Sequence, residues 1–263
     1  MREGLVSALA VLGVVVFSGP KVSANEISGD EASLYAKATA EKDAAARAAL
    51  LESYLQQYPE GAYKIQSNYF LTLAYRELNQ PEKMMQAGEE TLKLDAENID
   101  VLLLLADRYS NQAATFEKSI AYSDRCIQAL EKKEAGAPPA NVTTEQWHGQ
   151  CEKLKNGAAY TKALVLGKKA LAGKDYAGAE APLKQAYSIQ KNPMIPFWLG
   201  IVYSKSGKVD DAIAMLCEAV VLAGPAKDQA QKELERLYQQ KNQSLDGLQQ
   251  KIEEARARVS PNT

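Results

Sequence analysis

The chain holds a single histidine, His148, and Cys151 and Glu152 follow it at the third and fourth positions. On a helix these side chains share one face. An imidazole, a thiolate and a carboxylate at that spacing could ligate a metal ion. A fourth ligand is not apparent, and the alternative reading is a polar helix face beside Trp147. One histidine argues against Ser-His-Asp or Cys-His catalysis, because both need an imidazole beside the nucleophile. The sequence has no glycine-rich phosphate loop. Its acidic pairs, such as Glu89-Glu90 and Asp210-Asp211, read as ordinary helix starts and surface positions. The expectation is a protein without catalysis, cofactor or metal.

The elements that would carry such residues begin after a leader. Arg2 gives a short basic start, residues 5–17 are an unbroken apolar and small run, and Val22-Ser23-Ala24 offers small residues for cleavage. That pattern is a secretory signal peptide over 1–24. The apolar run falls short of the roughly 20 residues needed to cross a bilayer, and no later run approaches that length. The reading is an exported chain, periplasmic or secreted, with no stable membrane insertion after cleavage. In an exported protein cysteines can pair. Cys126 and Cys151 flank a Pro138-Pro139 turn, so a bridge between them would staple it; the other reading is a buried free thiol at Cys126. Cys217 would stay unpaired.

The 31 basic and 33 acidic residues nearly cancel, so there is no basic excess to attract nucleic acid. Charges of both signs alternate as on solvated helix faces. Ala and Leu dominate while Phe and Trp are scarce, which points to an all-α chain. Residues 25–60 suit a leading helical hairpin. Over 61–130 two units follow: Leu71, Ala74, Tyr75 and Leu78 mark one helix face, and Leu105, Ala106 and Tyr109 repeat it. Pro81 suits the first turn of a second helix. Residues 131–142 hold Gly136 and Pro138-Pro139 and read as a linker. Thr143 and Gln146 have the spacing of a capping box, so a long helix is expected from there to about 172. Residues 143–224 hold two further units. Residues 225–263 are a charged closing helix and tail, with a possible break near Asp246-Gly247.

The last two units repeat each other at matched positions. Leu166-Gly167 recurs as Leu199-Gly200, and Ala179, Leu183 and Ala186 recur as Ala212, Leu216 and Ala219. The period of roughly 33 residues is that of stacked helix–turn–helix arrays. With Tyr203 and Gly207 added, the final unit resembles the tetratricopeptide repeat. The unit before it has Ala170 at the aromatic position and Pro182 inside its second helix, where a bend is expected. The earlier units keep Tyr75 and Tyr109 but place Met84 and Ser119 where the family has Ala.

The resemblance implies a tetratricopeptide-type α-α superhelix whose first helices line a concave, partner-binding groove. Its outward positions would be Tyr69, Leu73, Arg76, Asp107, Asn111, Leu164, Lys168, Phe197, Ile201 and Lys205. Phe197 and Ile201, one turn apart, would be an apolar anchor, or else pack against the closing helix. The family's carboxylate-clamping set is not matched, since those positions hold Tyr69, Leu73, Leu103 and Asp107. The function implied is an exported adaptor that holds a protein or peptide partner, within an envelope or secretion assembly. The alternative is a structural element that self-associates as a homo-oligomer, and a remoter one is a metal- or small-molecule-binding solenoid using 147–152.

Overall fold

A computed structural model describes residues 29–259, and the expected leader over 1–24 lies outside them. Among the described residues there are α-helices and one short 3₁₀ turn but no strand. In chain order the helices are α1 (Gly29–Ala40), α2 (Ala44–Gln57), α3 (Lys64–Glu77), α4 (Pro81–Leu94), α5 (Ile99–Tyr109) and α6 (Phe116–Glu134). They continue as α7 (Thr144–Ala172), α8 (Tyr176–Ile189), α9 (Met194–Lys205), α10 (Val209–Leu222), α11 (Lys227–Asn242) and α12 (Leu248–Val259).

Local chemistry sets these bounds. Asp43 caps α2 by accepting from the Ala46 amide at 2.8 Å, and Asp175 caps α8 by accepting from Gly178 at 2.8 Å. At α7 the expected capping box forms: the Thr143 amide donates to Gln146 Oε1 at 3.1 Å and the Gln146 amide to Thr143 Oγ1 at 3.2 Å. Helix α6 runs on to Glu134 because Glu131, Lys132, Lys133 and Glu134 are good helix formers; it stops before Gly136. Helix α8 is continuous through Pro182.

One turn recurs in three hairpins. The amides of Gln80, Asp175 and Lys208 reach back to the carbonyls of Tyr75, Ala170 and Tyr203, each at 2.8–2.9 Å. This long back-bond closes a helix through a left-handed residue. Asn79, Lys174 and Gly207 fill that position with φ of 54°, 58° and 74°.

The described chain divides into two compact units, 29–109 with 121–158, and 110–120 with 159–259. In the first, Ala38, Ala48, Leu51, Leu71, Ala74 and Met84 form one core cluster. Leu102, Leu105, Tyr109, Leu130 and Ala158 form a second. In the second unit Val165, Leu183, Ile195, Leu199, Leu216 and Leu234 are fully buried. There the matched glycines make matched contacts. A Cβ on Gly167 would come within 2.5 Å of the Leu183 side chain, and one on Gly200 within 2.7 Å of Leu216. Two helix pairs thus share one close approach, one period apart. The fold is an all-α solenoid type, built from consecutive helix pairs.

Candidate functional site

The face of interest belongs to the first helix of each pair. In the first unit, α3 presents Tyr69 and Leu73 half-buried and Arg76 exposed, and α5 presents Leu103 and Asp107 half-buried. Tyr69 is only partly available to a partner. Its ring packs against the core, and its hydroxyl donates to Asp100 Oδ2 at 3.0 Å. Burial, then the Asp100 charge, raises its pKa, while Arg76 opposes the rise. Burial also raises Asp100, against the Tyr69 hydrogen bond and the charges of Arg76 and Lys133. The structure therefore joins two expected residues, Tyr69 and Arg76, to two that the sequence reading missed, Asp100 and Lys133.

In the second unit, Leu164 is half-buried and Asn111 exposed. Lys168 is committed internally: its ammonium donates to the Ser110 carbonyl and lies 5.2 Å over the Phe116 ring. Phe197 and Ile201 are half-buried and Lys205 is exposed, at successive turns of α9. An apolar pair with a charged rim is the arrangement of a peptide anchor.

A set of tyrosine–carboxylate links holds these first helices in place, and the sequence reading did not identify it. Tyr54 donates to Glu31 at 2.6 Å, Tyr75 to Glu52, Tyr109 to Glu89 at 2.5 Å and Tyr203 to Glu180 at 3.4 Å. Each joins a helix to the one before it. Tyr187 bonds Glu218 at 3.0 Å across to the second helix of the next pair. Burial first, and the acceptor carboxylate next, raises the pKa of Tyr75, as of Tyr54 and Tyr187. The tyrosines were legible as space-fillers; their acidic partners lie 20–31 residues away, beyond any local pattern.

Cys126 and Cys151 do fall in one core cluster, but both are free thiols, as is Cys217, and all three are buried. Of the two readings left open for Cys126, a bridge to Cys151 or a buried free thiol, the structure holds the free thiol. Burial, then the Asp100 charge, pushes Cys126 up to about 12, and burial pushes Cys217 up to about 11. His148 faces an acid rather than a ligand set: its Nδ1 lies 3.0 Å from Glu134 Oε1, and Lys155 donates to Glu134 Oε2 at 2.6 Å. No group of three or more His, Cys, Asp or Glu side chains suited to a metal occurs among the described residues. No helix among them is long and apolar enough to cross a membrane.

No family model matches the chain, and no curated protein matches it. Among solved structures it is similar to a thermophilic tetratricopeptide-repeat protein of Thermus thermophilus. The identity is 17%, over 80% of this chain and 97% of that one, with a TM-score of 0.34. The fold assignment rests instead on the helix pairs and their recurring contacts.

Proposed function

We propose that the protein is a non-catalytic scaffold that holds a protein or peptide partner on the first-helix faces of its repeats. The observation that carries this reading is the Phe197–Ile201–Lys205 line on α9. Two large apolar side chains stay half-buried there on a helix whose opposite face, Leu199, Val202 and Tyr203, already fills the core. Leu73 on α3 sits in the same state. Helices laced by tyrosine–carboxylate bonds lose little entropy when a partner binds. The leader-like residues 1–24 favour an exported setting, in an envelope or secretion assembly.

The test is a crosslinking pull-down from the native envelope fraction with the full chain and with a Phe197→Glu, Ile201→Lys double variant. A partner retained by the wild type and lost by the variant is the expected result. Recovery of the bait alone in both forms would overturn the reading in favour of self-association.

A further inference from the structure

Four tyrosines meet where α1, α2 and the start of α3 come together in the first unit. Tyr35 and Tyr63 stack in parallel, with ring centroids 4.1 Å apart and planes 1° apart. Tyr54 meets both edge to face, at 5.9 and 6.3 Å, and Tyr58 lies tilted 5.5 Å from Tyr54. The support beneath the stack is fixed. Tyr54 is fully buried; its hydroxyl donates to Glu31 at 2.6 Å and accepts from the Tyr63 amide at 2.9 Å. Glu31, itself buried, also accepts from the Ala62 amide at 2.7 Å. The connecting loop passes without room for a side chain, since a Cβ on Gly61 would come within 2.5 Å of the Tyr54 hydroxyl.

Tyr35 and Tyr63 stay half-buried. Tyr35 stands on α1 where Tyr69 stands on α3 one repeat later, so the stack belongs to a first-helix face. Tyr54, Tyr69 and Tyr75 give their hydroxyls to carboxylates, but those of Tyr35 and Tyr63 bond nothing among the described residues. Burial, then Tyr63, pushes Tyr35 up to about 12, and no charged group adds to that shift. The stack therefore offers aromatic surface and two unspent neutral O–H donors, with no charge. Its match is an uncharged occupant with flat apolar rings and bare carbonyls. A proline-rich chain has both: its rings pack on aromatic side chains, and its extended backbone leaves the carbonyls without internal partners.

We propose that the Tyr35–Tyr63 stack docks an uncharged, proline-rich segment of a partner protein. Proline rings rest on the aromatic surface, and backbone carbonyls accept from the two hydroxyls. The inference rests on the scaffold reading and names the chemistry of the segment that its first unit holds; it uses no residue of the α9 line.

The test measures fluorescence anisotropy with the full chain and fluorescein-labelled decaproline, beside a Gly-Ser peptide of equal length. Saturable binding of decaproline is expected, weakened roughly tenfold by the double change Tyr35→Phe, Tyr63→Phe, which removes two hydrogen bonds. It should be absent for the Gly-Ser peptide, hold as salt is added, and survive Phe197→Glu, Ile201→Lys. Both rings remain in the Tyr35, Tyr63 variant and its lost hydroxyls bond nothing in the fold, so its melting temperature should match the wild type. No saturable binding, equal binding of the Gly-Ser peptide, or full binding by the Tyr35, Tyr63 variant would each overturn the proposal. So would a steep fall with salt, which would mean ionic contact, or displacement by maltohexaose, which would make the stack a sugar platform. Loss in the Phe197, Ile201 variant with retention in the Tyr35, Tyr63 variant would move the segment to α9 and leave the scaffold reading standing.

Discussion

At the scale of single residues, the close approach of paired helices depends on having no Cβ at Gly167 and Gly200. Gly200→Ala would press a methyl against Leu216 Cγ and should cost about 1–3 kcal/mol, read as a lowered urea midpoint at unchanged slope. The opposite change is available one period earlier. Lys174 occupies the left-handed position that Gly207 fills in the next hairpin. Lys174→Gly should therefore stabilise the chain by about 0.5–1 kcal/mol, since only the Cβ strain is removed. A melt that falls instead would show that the Lys174 side chain contributes more than its backbone costs. The three thiols should resist alkylation in the folded chain at neutral pH and react once it is denatured, because burial disfavours each thiolate.

At the scale of helices and their junctions, the Glu134 carboxylate ties α6 to α7. Its hydrogen bonds to Lys155 and then His148 hold it below the usual value of 4.5. A depressed carboxyl pKa means stability that is present above the unfolded value and lost as pH falls through the folded one. Acid unfolding of Glu134→Gln should be shallower below about pH 4.5 than that of the wild type, measured by helical circular dichroism. Much at this scale was legible in the sequence. Thr143 and Gln146 lie three residues apart and cap their own helix, so the start of α7 could be read locally. The break at Asp246-Gly247, between α11 and α12, was equally local. The acceptors of Tyr75, Tyr109 and Tyr203 were not, because which carboxylate meets which hydroxyl depends on the register between helices. Lys168 depends on register in the same way. Helix position places it on an outward face, and its ammonium finds Ser110 and Phe116, whose residue numbers say nothing of their proximity.

At the scale of the whole molecule, stability comes from repeated contacts rather than one central core, as in other helical arrays. The carboxylate-bonded tyrosines add an alkaline limit. Their raised pKa values mean that the folded chain keeps the hydroxyl protons which the unfolded chain releases near pH 10.0. Stability should hold up to that pH and be lost above it, with phenolate absorbance rising together with the loss of helix. The period of Leu-Gly and of the Ala–Leu–Ala triplet disclosed the architecture, since a helix pair must bring the same small residues to the same crossing each time. The partner was not disclosed, since the residues that would meet it are those the fold leaves free to vary.

The most direct test of the scaffold reading is site-specific photo-crosslinking of the full chain in its native cell. A photoreactive side chain would replace Leu73 or Ile201 on first helices, and Lys93 or Lys184 on exposed second-helix positions. The account expects a partner adduct at Leu73 and Ile201 and none at Lys93 and Lys184. Adducts from the second-helix positions alone, or only between copies of the chain, would contradict it.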